Sequence, residues 1–387
     1  MTTSAVVHTD IAHPAEAGTA LASLVQARLG ERPDVVILFA SPRYDFPPLL
    51  AALDAGCRPK ALVGCSSAGE FTSGAQGVGM ACAIALRAPE MSFSVGVGRR
   101  LTVDRDAAAR DMVGSFAGLR EQHRKHRSAL ILADALAGHM DALVERLTVL
   151  TASRYRLFGG GAGGDDSFQR RFVFAGTEAI PDAAVALEIL SDKPLGIGVR
   201  HGWTPASAPM RVTEAEGMRL GSLDAVAAAE VFEDHAQRTR QKFDRGDALP
   251  FFLHNVLGVE ASRGHKLRVP LSVEADGSVA CATEVPAGST VQVMGVTAEA
   301  AARAAGESVR DAIGQLQGRK PEVALFFDCV ATRLRMGKDF GFELQAVQEA
   351  LGEARFAGCN SIGQIAGAEG QFSGFHNCTA VVCVIPE

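Results

Sequence analysis

One seven-residue pattern of small residues occurs three times in this 387-residue chain. The copies are Gly64-Cys65-Ser66-Ser67-Ala68-Gly69-Glu70, Gly159-Gly160-Gly161-Ala162-Gly163-Gly164-Asp165 and Gly358-Cys359-Asn360-Ser361-Ile362-Gly363-Gln364. Each follows a short apolar run: Ala61-Leu62-Val63, Tyr155-Arg156-Leu157-Phe158 or Arg355-Phe356-Ala357. Each closes with Gly and a residue whose side chain carries a carbonyl oxygen. Residues without bulk let backbone approach backbone, or a ligand. The repeat predicts three similar units whose loops converge on one composite pocket.

The repeat extends beyond the loop. Val35 to Ala40, Ala129 to Leu132 and Val323 to Phe327 read as buried strands. Helices follow over Asp45 to Leu53, stopped by Gly56, over Ala142 to Leu150, and over Phe342 to Leu351. After each loop comes a closing strand: Met80 to Leu86, Val185 to Leu190, Thr379 to Ile385. An alanine-rich helix precedes each unit; in the last, Ala301, Ala305, Val309, Ala312 and Leu316 share one face. The expected fold class is α/β (α+β), with three related βαβαββ-type units of about 90–100 residues each, a domain-like length. That period is too long for a solenoid. Residues of about 195–295 break the pattern with prolines, short alternating runs and the hairpin dipeptide Asp276-Gly277, so they read as an antiparallel β-rich insertion. Domain limits are expected at 1–230 and 231–387.

A hydrophobic content of 47% supports a sizeable core, and a net charge of −6 leaves no basic footprint for nucleic acid. The N-terminus has neither a basic n-region nor a long apolar stretch, and the apolar runs fall short of a membrane span. Eight cysteines occur without Cys-x-x-Cys spacing, and Cys82, Cys329 and Cys383 sit inside expected strands. This is the usage of a reduced, cytoplasmic protein.

These loops and their surroundings resemble the FIST family of bacterial intracellular signal-transduction sensors. Leu62 to Glu70 resembles the N-terminal signature, and Phe158 to Asp166 followed by Phe168 resembles the second. His201-Gly202-Trp203-x-Pro205 leading to Val212 to Gly217 is similar to the segment ending that domain. Pro286-x-Gly288-x-x-Val291, Gly358 to Ile365 and His376-Asn377-x-Thr379 resemble the C-terminal FIST domain. Gln364 stands where the family usually has an acid, and Cys359-Asn360 where bulkier residues are common. The resemblance implies two FIST domains and a small-molecule sensor, with amino acids proposed as ligands. Because the chain ends at Glu387, output is expected through a separate signalling protein such as a histidine kinase or cyclase. Some stand-alone members are haem-based nitric oxide sensors that regulate a histidine kinase.

An amino-acid zwitterion needs donors and acceptors side by side. Cys65, Ser66, Ser67 and Gly69 would donate through backbone N–H or hydroxyl groups, and Glu70 would accept from an ammonium. Gly160, Gly161, Asp165 and Asp166 would serve in the second loop, and Cys359, Asn360, Ser361 and Gln364 in the third, with His376 and Asn377 from the last signature. The alternative is that the glycines serve tight turns and the acids cap N–H groups. Gly159-x-Gly161-x-x-Gly164 formally matches a dinucleotide fingerprint, but a strand-like Arg170 to Phe174 follows where a helix is needed. Three classes remain: a non-enzymatic ligand sensor without cofactor, which is the preferred reading; a haem sensor using His201, His139 or His376, with covalent haem excluded by the lack of Cys-x-x-Cys-His; and a hydrolase using Cys65, which needs a base nearby. No metal centre is expected.

Overall fold

The structure is a computed structural model, and it describes residues 1–120, 124–164, 170–262, 264–367 and 373–387. The first unit contains β1 (Thr3–Thr9), α1 (Pro14–Leu29), β2 (Val35–Ala40), α2 (Phe46–Cys57), β3 (Ala61–Ser66), a hairpin of β4 (Glu70–Thr72) and β5 (Ala75–Gly77), and β6 (Ala81–Arg87). The second contains β7 (Met91–Arg99), α3 (Arg105–Gly114), β8 (His126–Ala133), α4 (Met140–Leu150), β9 (Arg156–Gly161), a hairpin of β10 (Val173–Ala175) and β11 (Glu178–Ile180), and β12 (Ala183–Ser191). The third opens with β13 (Gly196–Arg200).

An insertion then intervenes: β14 (Thr204–Pro205), β15 (Met210–Glu216), β16 (Arg219–Leu223), β17 (Val226–Ala227), α5 (Ala228–Thr239), α6 (Leu249–Phe252), β18 (Val256–Ala261), β19 (Gly264–Arg268), β20 (Pro270–Val273), β21 (Val279–Cys281) and β22 (Thr290–Gly295). The third unit resumes with α7 (Ala298–Gly314), β23 (Pro321–Cys329), α8 (Val330–Met336), α9 (Gly341–Leu351), β24 (Arg355–Ser361), a hairpin of β25 (Gln364–Gly367) and β26 (Gly374–His376), and β27 (Ala380–Pro386). The class is therefore α/β, and the insertion is one antiparallel sheet of nine strands. It begins after Arg200, because β13 pairs with β27 and belongs to the third unit. Asp276-Gly277 makes the expected β20–β21 turn, with Gly277 at φ 83°.

Three six-stranded sheets carry the units, in the orders β1-β6-β2-β3-β10-β11, β7-β12-β8-β9-β25-β26 and β13-β27-β23-β24-β4-β5. In every sheet the second and third strands of the unit run parallel and the rest antiparallel. The last two strands are always another unit's hairpin. The first unit donates to the third, the second to the first and the third to the second, which closes a cycle.

Strand alternation builds the core. Val35, Ile37 and Phe39 face a central cluster shared with Leu130, Leu132, Phe158, Val323, Leu325 and Phe327 from the other units. Val36, Leu38 and Ala40 face α1 and α2. β2 is thus covered on both sides, which explains its unbroken apolar sequence. The second and third units repeat this with their own helices. Gly56 does not stop α2. It lies inside the helix, and a Cβ there would fall 2.4 Å from the Ala22 Cβ of α1. The helix ends one residue later, with Arg58 in the left-handed conformation. All eight cysteines are buried and unpaired. Among the described residues no helix is long and apolar enough to cross a membrane.

Candidate functional site

The three loops meet, and they bind one another in rotation. The fifth residue of each donates its N–H to the third residue's carbonyl in a neighbour: Ala68 to Asn360 at 3.0 Å, Gly163 to Ser66 at 2.7 Å, and Ile362 to Gly161 at 3.1 Å. A return bond joins the third residue's N–H to the sixth residue's carbonyl in two of the three pairs: Asn360 to Gly69 at 2.8 Å and Gly161 to Gly363 at 2.9 Å. The pattern's small residues follow from this ring. A Cβ on Gly163 would lie 2.1 Å from the Ala68 nitrogen, and one on Gly161 would lie 2.1 Å from the Ile362 oxygen. A Cβ on Gly69 would lie 2.6 Å from Asn360 Oδ1, and one on Gly160 would lie 2.9 Å from Ser361 Oγ.

The side chains follow the same symmetry. Glu70 accepts from the Ser67 hydroxyl and, at 2.8 Å, from the Met80 N–H. Gln364 donates to Ser361 Oγ at 3.0 Å and accepts from the Thr379 N–H at 3.3 Å. Both residues thus tie their loop to the chain that leads into the closing strand. Burial pushes the Glu70 carboxyl up to about 7, against the lowering effect of the Ser67 hydroxyl and the Met80 and Gly79 N–H groups. Ser66 Oγ donates to the Gly163 carbonyl at 2.6 Å and accepts from the Phe172 N–H at 2.9 Å. Ser66, Ser67, Glu70, Asn360, Ser361 and Gln364 are all buried. Asn360 Nδ2 has no hydrogen-bond partner among the described residues. Asp165 and Asp166 lie outside the described residues.

The ring is broken at one place. By analogy with Asn360 and Gly161, the Ser66 N–H should reach the Gly164 carbonyl; instead it donates to Phe172 at 2.9 Å. Beside this break lies a cleft of about 260 Å³ lined by Ser41, Pro42, Arg43, Ser67, Ala68, Val78, Gly164, Arg170, Val330, Arg333 and Leu334. All three units contribute to it. The arginines were not singled out from sequence. Their signal was position: Arg43 and Arg333 follow the C-terminal ends of the central strands β2 and β23, where α/β sheets bind ligands.

Other candidates lie elsewhere. Cys65 is fully enclosed in the central core, hydrogen-bonded to Cys359, with Cys82 close by. Burial pushes the Cys82 and Cys359 thiols up. His376 is buried next to Lys266 and Arg268, and burial pushes it down to about 3. Asn377 Oδ1 accepts from the Thr283 hydroxyl at 2.9 Å, so this pair of residues sits where the insertion joins the third unit. His201 Nε2 lies 3.0 Å from the His265 carbonyl, beside a cavity of about 10 Å³, room for one water at most. His139 is exposed, and its Nδ1 lies 2.9 Å from Glu284.

The FIST N domain family matches residues 34–226 and the FIST C domain family matches residues 228–367. No curated protein matches the chain. Among solved structures, cyanuric acid hydrolase from A. caulinodans is 8% identical with a TM-score of 0.38, over 99% of each chain. PurLQS from Thermotoga maritima is 11% identical with a TM-score of 0.24, over 99% of this chain and 72% of that one. Both likenesses are too distant to bear on the chemistry. With both of its domains matched in order along the sequence, the chain belongs to the FIST family of sensory signal-transduction proteins.

Proposed function

We propose that this chain is a non-enzymatic input module that binds a small molecule in the cleft beside the broken ring and passes its state to a separate signalling protein, such as a histidine kinase or cyclase. The carrying observation is the broken symmetry. Two loop pairs close on each other with two backbone bonds, while the third has a single backbone bond, supplemented by the Ser66 hydroxyl on the Gly163 carbonyl, and leaves a cleft walled by every unit. A ligand there touches Ser67 and Ala68 of the first unit, Gly164 of the second and Val330 of the third. It can therefore favour one relative placement of the units over another, and a partner can read that difference. A Cys65 hydrolase finds less support, since that thiol lies in the core away from the cleft.

The test is a thermal-shift screen of small metabolites. A ligand should raise Tm with concentration, following its ratio to Kd. Leu334→Trp places bulk on the cleft wall at a position 43% exposed, so the fold should tolerate it. The response should disappear in that variant; an undiminished response would remove the cleft as the site. The small cavity beside His201 and the burial of His376 favour the exposed His139 among the three ligand candidates of the haem reading. A Soret band that disappears in His139→Ala would establish that reading in place of ours.

A further inference from the structure

We infer that the ligand of this cleft is an anion, a carboxylate or phosphate, gripped by Arg43, Arg170 and Arg333. The inference rests on the reading of the cleft as the sensing site and names the chemistry of what it senses. Three guanidinium groups from three separate segments line one small opening. Tyr44, fully buried, organises two of them. The Arg43 guanidinium lies over the Tyr44 ring at 4.9 Å, and its Nη2 donates to the Tyr44 hydroxyl at 3.1 Å and to the Asp10 carbonyl at 2.7 Å. Arg170 Nη2 donates to the Tyr44 carbonyl at 3.4 Å. Among the described residues neither Arg43 nor Arg170 forms an ion pair, whereas the neighbouring Arg171 pairs with Asp134 at 2.7 Å. Arg333 packs against loop one, where a Cβ on Gly69 would come within 3.2 Å of its Nε, and it feels the buried Glu70 carboxyl.

Three arginines lining one cleft favour an anionic occupant over a neutral or cationic one. Arginine's planar fork matches carboxylate and phosphate oxygens two at a time. A volume of about 260 Å³ suits a metabolite rather than a polymer. The structure thus assigns the specificity of the site to side chains outside the repeated loops, while the loops supply its rigid floor.

The experiment uses inorganic phosphate, succinate and L-glutamate as anionic probes, with glycerol and L-lysine as uncharged and cationic ones. Ionic strength is balanced with chloride, and binding is read by thermal shift and calorimetry on the full chain. Wild type, Arg170→Gln, Arg43→Gln and Leu334→Trp are compared. Arg170 is exposed, so its variant should fold as the wild type does. The expected result is that at least one anion binds, that its Kd weakens about tenfold or more in Arg170→Gln and in Arg43→Gln, and that added NaCl weakens it further. The phosphate and carboxylate arms identify which anion is meant. Equal binding of the anion by wild type and Arg170→Gln overturns the inference. Binding of glycerol or lysine alone, lost in Leu334→Trp, overturns the anion class and leaves the sensing reading standing. No binding by any probe or metabolite sinks both.

Discussion

Glu70 and Gln364 hold equivalent places and make equivalent bonds, yet one is ionisable, and that difference has a consequence. The Glu70 carboxyl is raised from 4.5 to about 7, chiefly by burial. Between those two values the folded chain keeps a proton that the unfolded chain has released, so Glu70 makes stability fall as pH rises through that window. Glu70→Gln should reproduce the geometry of the third loop without the charge. Urea unfolding at pH 5 and pH 8 should show the wild type losing on the order of 2 kcal/mol more than the variant across that interval. Equal losses would mean that Glu70 does not carry the proton. The glycines offer a second test. Gly163→Ala should cost about 3 kcal/mol or more, because its Cβ meets the Ala68 nitrogen at 2.1 Å. Gly114→Ala, with open space around it, should be neutral or slightly stabilising. Sequence shows that these loops need small residues. It does not show why, since close approach of a ligand and close approach of another backbone both forbid a Cβ. At Gly161 and Gly163 the neighbour is another loop's backbone.

At the scale of elements, the units, their central strands and most helix limits were readable because β-branched runs and helical spacing are local signals. The hairpin exchange was not. β4, β10 and β26 have three residues each, too short for a periodic pattern, and their alternation is the same whichever sheet they join. Phe71 makes the exchange measurable. It belongs to the first unit, but its ring lies 5.4 Å from Phe326, 5.8 Å from Phe340 and 6.3 Å from Phe356, all of the third. Phe71→Ala should cost about 3–5 kcal/mol. Native-state hydrogen exchange should place the loss of protection in β24, which pairs with β4, ahead of β2 and β3. The idea fails if β2 and β3 open first while β24 stays protected.

At the scale of the whole molecule, a division at residue 230 is a division of the chain rather than of space. Three of the four sheets contain strands from both sides of it. Sequence order cannot reveal this, because strands far apart in the chain can be adjacent in a sheet. The insertion is held to the other units by a half-buried ionic joint around the buried Arg268. Arg268 of β19 donates to Asp141 of α4 at 2.5 Å and to the Phe375 carbonyl at 3.2 Å. Asp141 also lies 3.4 Å from Lys266 and accepts from the Phe375 N–H at 3.0 Å. Burial pushes the Asp141 carboxyl up, but Arg268, Lys266 and the Phe375 N–H outweigh it and hold the group below its ordinary value. Its contribution is therefore present above the unfolded value of about 4 and lost as pH falls below it. Asp141→Asn leaves Arg268, 2% exposed, without its charge partner, and should cost about 3 kcal/mol. The chain's single tryptophan reports on this joint, since Trp203 packs with Leu267 and Val269 of the insertion and with Cys329 of the third unit. In the wild type at neutral pH, Trp203 emission and far-ultraviolet circular dichroism should change together in urea. In Asp141→Asn the emission should shift red first, as the insertion loosens while the three sheets persist. Coincident transitions in both proteins would show that the joint is not a separate point of opening.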